Sequence, residues 1–118
     1  MLRIAVIGLH GQLARSLAEL ADDEVQIACL GRPDLDLTDP PTIAAALWKV
    51  PADIVVNAAA YTAVDRAESE PDLAFAVNRD GAGALATSCA QLGLPLIHIS
   101  TDYVFDGSKP DPYVETDS

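Results

Sequence analysis

Positive charge is scarce in this chain. Seven Lys and Arg stand against 18 Asp and Glu, a formal net charge of -11 over 118 residues. Such a balance argues against a nucleic-acid partner, which needs clustered Lys and Arg. It leaves room for a nucleotide cofactor, because backbone N–H groups hold a pyrophosphate without basic side chains. Cysteine is nearly absent. Cys29 and Cys89 lie in apolar runs without metal-ligand spacing, and they read as reduced core residues of a cytoplasmic protein. No apolar run suits a membrane span or a secretory signal, since the first one is short and leads straight into a glycine loop. Internal repeats and low-complexity stretches are missing as well.

What remains is ordinary globular composition, with half the residues apolar and 21% charged, in a length that suits one domain. Short β-branched runs at 2–7, 25–30, 53–57 and 96–100 read as buried strands, with a short further strand at 35–37. Helical spacing covers 12–21, with Leu13, Leu17 and Leu20 on one face. Thr38 or Asp39 caps a second helix that has proline in its first turn and runs to about Val50. One helical turn is expected at 63–69. A long helix is expected from Pro71 to about Leu92, with Gly93 as its stop, and a loop from 101 onward. Alternating strands and helices, with strands apolar throughout, predict an α/β fold: a doubly wound parallel sheet of Rossmann type in the order 3-2-1-4-5.

Ligands bind such sheets at the carboxyl ends of the strands, where the strand order reverses. Four loops place small or polar residues at that edge: Gly8 to Gly11, Gly31-Arg32, Asn57 onward, and Ser100-Thr101. The stretch "VIGLHGQLA" carries Gly8, Gly11 and Ala14 between a strand and a helix. Taken alone the pattern equally describes a tight strand–helix turn. In this position it suits a pyrophosphate loop, with Gly11 opening the helix N-terminus and His10 and Gln12 lining the phosphates. The second strand ends in Gly31-Arg32 with no acid, which leans towards the 2'-phosphate of NADP; a solvent-exposed turn arginine is the alternative. Asp36 and Leu37 suit the adenine, with Asp36 accepting from its exocyclic amine or serving as a turn residue.

"NAAAYTAVDRAESEP" leaves room for a flat ligand after the fourth predicted strand, as plain tight packing also would. Asp65, Glu68 and Glu70 read as a solvated helix face; a Mg2+ site there is not required by the residues. Asn78 in the long helix needs a polar partner. His98, between Ile97 and Ile99, reads as a satisfied core histidine. In "ISTDYVFDG", Ser100 or Thr101 is placed to hydrogen-bond a substrate carbonyl oxygen during reduction.

The glycine pattern, "DLDLTD" at 34–39, "DIVVNAAAYTAVDRAESEP" at 53–71, "VN" at 77–78 and "STDYVFDG" at 100–107 together resemble the extended short-chain dehydrogenase/reductases over essentially the whole chain. The similarity is greatest to those reducing dTDP-linked 4-keto sugars. It implies an NAD(P)-binding domain over 1–118 and hydride transfer from NADPH, or NADH, to the C4 ketone of dTDP-4-dehydro-L-rhamnose. It implies a cofactor held by Gly8, His10, Gly11, Gln12, Leu13, Arg32, Asp36, Leu37, Ala58, Ala59, Ala60, Tyr61, Asn78 and Ser100. Thr101 takes the place of the catalytic hydroxyl that orients the ketone oxygen, and Thr62, Val64, Asp102 and Tyr103 face the dTDP-sugar.

The family's proton-donating tyrosine and its lysine form a Tyr-x-x-x-Lys motif. Here Tyr61 is followed at the fourth place by Asp65, Tyr103 by Gly107 and Tyr113 by Asp117, while lysine occurs only at 49 and 109. The expectation is therefore the N-terminal portion of such a reductase, without the C-terminal sugar-nucleotide domain and inactive alone. A homodimer is expected to cover the exposed face of the last two strands. A non-catalytic regulatory subunit, similar to the beta subunit of methionine adenosyltransferase, and another sugar-nucleotide reductase or epimerase are the competing readings. "AVDRAESEP" favours the rhamnose pathway over the epimerases.

Overall fold

The computed structural model describes residues 1–59, 72, 76–99 and 108–117. Four apolar segments rich in β-branched residues form strands: β1 (Leu2–Ile7), β2 (Val25–Leu30), β3 (Ile54–Asn57) and β4 (Leu96–His98). All pair in parallel, in the order β2-β1-β3-β4. Ile7 stands level with Leu30 on one side and Asn57 on the other, and Asn57 with His98. One further hydrogen bond joins each neighbouring pair past those residues. Gly8 N–H donates to Leu30 at 2.7 Å, Ala58 N–H to Ile7 at 3.0 Å and Ile99 N–H to Asn57 at 3.2 Å. The chain leaves β1 towards β2 and then returns to β3 on its other side. The strand order thus reverses at β1, as predicted.

The short strand expected at 35–37 is absent, and among the described residues no strand takes the outermost place in the predicted order. Its backbone bonds are local: Leu35 N–H donates to the Gly31 carbonyl at 3.0 Å and Asp39 N–H to that of Asp36 at 3.0 Å. Leu35 and Leu37 are nevertheless buried, because the segment folds down onto the core rather than along the sheet.

Helix α1 (Gln12–Ala18) is shorter than expected, its end tightening into bonds from Leu20 to Leu17 and from Ala21 to Ala18. Ala14 is its buried residue and Leu17 is half-buried, whereas Leu13 and Leu20 are exposed. Helix α2 (Pro40–Lys49) has proline in its first turn, as predicted, and Asp39 precedes it without a side-chain cap. It buries Ile43, Ala46 and Leu47 and leaves Trp48 79% exposed.

The described part of the long helix is not uniform. A π-helical stretch (Ala76–Gly81) precedes α3 (Ala82–Leu92), which ends at Gly93 with φ +69°, the stop expected there. A Cβ at Gly81 would lie 2.7 Å from Leu37 Cβ, so glycine lets the 35–37 segment seat against the helix. The turn at 63–69 lies outside the described residues, and 108–117 has no regular helix or strand, as expected.

The central strands β1 and β3 are packed on both faces. On one, Ala5, Ile7 and Val55 pack with Leu35, Leu37, Ile43, Leu47, Leu85 and Cys89. On the other, Val6 and Val56 pack with Ala14, and Ile4, Leu17, Ile27 and Cys29 lie around them. Both cysteines are free, Cys89 buried and Cys29 half-buried. Among the described residues no helix is long and apolar enough to cross a membrane.

Candidate functional site

A crevice of about 950 Å³ opens at the carboxyl ends of β1, β2 and β3. Its β1 wall is Gly8, Leu9, His10 and Gly11. Gly8 has φ +134°, a conformation that side chains avoid. A Cβ there would also stand 3.4 Å from Ala14 Cβ and 3.6 Å from the Ala58 carbonyl carbon, so the floor is bare backbone. Around a Cβ built on Gly11, nothing lies within 4 Å. Gly11 is also the residue before α1, whose first turn has no side-chain cap. The first-turn N–H groups of α1 therefore have no side-chain cap competing for them.

The β2 wall is Gly31, Arg32, Pro33, Leu35, Asp36, Leu37 and Thr38. Here side chains bond densely. The Thr42 hydroxyl, in the first turn of α2, accepts from Asp36 N–H at 2.9 Å and donates to the Asp39 carbonyl at 2.7 Å. Thr38 donates twice to one oxygen of Asp36, from its N–H at 2.9 Å and its hydroxyl at 2.6 Å. Those bonds hold the Asp36 carboxyl below the usual carboxylate range, and the charge of Arg32 adds to the effect. Thr38 thus spends its hydroxyl on Asp36, not on capping α2, and Asp39 makes no side-chain cap.

The β3 wall is Ala58 and Ala59, and Val77 also lines the crevice. Asn57, 1% exposed, fixes this turn: its Oδ1 accepts from Ala59 N–H at 3.1 Å. Its Nδ2 lies 3.2 Å from His98 Nδ1. With Oδ1 already committed as acceptor, Nδ2 is the donor, which assigns the lone pair to His98 Nδ1. His98 is satisfied, as expected, but exposed rather than buried, because β4 is the edge strand among the described residues.

The structure therefore brings together Gly8, His10, Gly11, Arg32, Asp36, Leu37, Ala58 and Ala59. It leaves Gln12 and Leu13 on the exposed first turn of α1, outside the crevice lining. Asn78 is exposed on the π-helical stretch, and its neighbour Val77 reaches the crevice instead. Ala60, Tyr61, Thr62, Val64, Ser100, Thr101, Asp102 and Tyr103 lie outside the described residues, as does the acidic cluster at 65–70.

Thr38, Leu35, Pro33 and Val77 line the crevice without having been singled out as site residues. The spacing of Thr38 two residues after Asp36 was the available signal, since Asp side chains bond backbone two residues on. Among the described residues no group of His, Cys, Asp or Glu is arranged to hold a metal ion. A smaller cavity of about 490 Å³, lined in part by Arg3, Asp22 and Gln26, gathers none of the predicted residues.

The family model described as RmlD substrate binding domain matches residues 2–118. The dTDP-4-dehydrorhamnose reductase of Sinorhizobium fredii is 56% identical over 116 residues, covering 98% of this chain and 39% of that protein. A crystal structure of dTDP-4-dehydrorhamnose reductase from Bacillus anthracis in complex with NADP superposes with a TM-score of 0.85 at 36% identity, covering 93% of this chain and 40% of that one. The corresponding reductase from Clostridium acetobutylicum gives a TM-score of 0.87 at 35% identity, over 99% of this chain and 42% of that one. The chain spans about two fifths of the length of these relatives.

Proposed function

The chain belongs to the RmlD substrate binding domain family, and from that premise we propose that its crevice is the dinucleotide site of a sugar-nucleotide reductase. The reaction is reduction of the C4 ketone of dTDP-4-dehydro-L-rhamnose to dTDP-L-rhamnose, with NADPH supplying the hydride. The supporting observation is the convergence of three strand-exit loops on one crevice at the point where the strand order reverses.

The residues present fit the cofactor. Bare backbone at Gly8 and the open space at Gly11 suit a pyrophosphate, with His10 beside it and the first-turn residues Gln12 and Leu13 supplying N–H groups. Arg32 binds the 2'-phosphate, which favours NADPH over NADH. Asp36 and Leu37 take the adenine. Ala58, Ala59, Ala60, Tyr61, Asn78 and Ser100 complete the cofactor side, while Thr62, Val64, Asp102 and Tyr103 take the dTDP-sugar.

Thr101 orients the ketone oxygen. That oxygen also needs a proton, and no tyrosine in the 118 residues is followed four places on by lysine. The chain's setting is the cytoplasm, as a homodimer in which a second copy covers the face of the last two strands, where Ile97 and Ile99 are 48% and 43% exposed.

Calorimetric titration with NADPH and NADH tests the reading. Saturable binding, tighter for NADPH, with the difference lost in Arg32→Ala, is expected. Absence of binding by either dinucleotide sinks the cofactor assignment.

A further inference from the structure

We infer that Thr38 is a specificity-determining positioning residue, clamping the Asp36 carboxylate so that it accepts from a 6-amino purine and not from a 6-oxo one. The inference rests on the dinucleotide reading above and deepens it.

Asp36 is fixed at three levels. Its backbone N–H is tied to Thr42 on α2. Its neighbours Leu35 and Leu37, 2% and 7% exposed, are anchored in the core, with Leu37 seated against Gly81. Its side chain is then fixed by Thr38, whose two donors converge on Oδ1 at 2.9 and 2.6 Å. Among the described residues no donor reaches the other oxygen, Oδ2, and Asp36 and Thr38 both line the crevice. One carboxylate oxygen is spent and the other is left for a ligand in a set direction.

Purines differ along the edge that such an oxygen reads. Adenine carries an amino donor at C6 and an acceptor at N1, whereas hypoxanthine carries a carbonyl acceptor at C6 and an N–H donor at N1. A freely rotating carboxylate follows the donor from one position to the other and binds both bases. A clamped one meets the hypoxanthine carbonyl with like polarity and cannot follow. A hydrogen bond to a charged group then separates the two bases by about tenfold or more.

The test titrates the 118-residue chain by calorimetry with NADPH and with its reduced hypoxanthine analogue. Wild type is expected to favour NADPH by about tenfold. Thr38→Ser keeps both donors and preserves the ratio. Thr38→Val loses the hydroxyl and keeps only the N–H bond, so the ratio falls towards one, chiefly through tighter binding of the analogue. Thr38 is exposed, so folding is expected to survive, and Thr38→Ala carries the same expectation should the valine variant unfold. Equal affinities in wild type, or both affinities falling together in Thr38→Val with the ratio kept, overturn the inference while leaving the cofactor reading intact. Failure of wild type to bind either dinucleotide overturns the cofactor reading, and this inference with it.

Discussion

The loops that leave β1 and β2 face each other across one crevice and are built on opposite plans. In the β1 loop, 8–11, the hydrogen bonds among the described residues are backbone ones at its two ends, Gly8 N–H to Leu30 and the Gly11 carbonyl to Arg15 N–H. Its useful groups are N–H donors exposed by the lack of side chains. The β2 loop, 31–39, is closed on itself by Thr38, Thr42 and Asp36 and weighted down by two buried leucines. The first works by keeping atoms away from a ligand, the second by holding a few atoms still. A binding site needs both, since open donors give affinity and fixed side chains give selectivity.

The contrast makes the β2 loop part of the core, and Leu35→Ala is the strongest way to break it. That substitution should cost about 3 kcal/mol of stability in urea denaturation; a loss within error would show that the loop rests on the core without supporting it. Gly8→Ala comes next, at about 2 kcal/mol, because φ +134° is forced on a residue with a Cβ. An unchanged unfolding midpoint there would mean that the β1 loop relaxes freely.

Acid sharpens the difference. Asp36 titrates lower in the folded chain than in the unfolded one, so its contribution is complete above the usual carboxylate range and is lost as pH falls through the lowered value. Urea midpoints measured from neutral to acid pH should fall, and Asp36→Asn should flatten that fall. Asp53 beside Arg3 and Asp117 beside Lys109 are lowered in the same direction, so part of the slope persists. An identical acid limb in the variant would count against the Thr38 clamp. The smallest effect belongs to Gly11→Ala. With an ordinary φ of -68° and open space around its Cβ, stability should change by less than about 0.5 kcal/mol, while NADPH affinity drops. Equal losses in both would remove the distinction between the loops.

Strand and helix periodicity made β1 to β4, α2 and the end of α3 legible, because in those segments the local pattern and the global packing agree. The 35–37 segment deceived for a specific reason. Leu35-Asp36-Leu37 alternates as a strand does, and both leucines are indeed buried, but its hydrogen bonds are local and its seat is provided by Gly81, far along the sequence. The π-helical stretch left no signal, since a few residues of apolar spacing fit a wide turn as well as a normal one. His98 between two isoleucines looked like core because sequence carries no record of which strand lies at an edge. At the crevice the glycines and Arg32 were legible by type and position. The clamp on Asp36 was not, because the same residues Thr38 and Asp39 also make a good helix cap on paper.

The row of bonds just past the strand ends has a kinetic side. Gly8, Ala58 and Ile99 lie one residue past the strand ends, yet their N–H groups donate across the sheet to Leu30, Ile7 and Asn57. Their release to solvent requires neighbouring strands to part. In deuterium exchange, Gly8 and Ala58 should therefore retain their protons about as long as the amides inside β1, while His10, two residues away on the same loop, gives its proton up early.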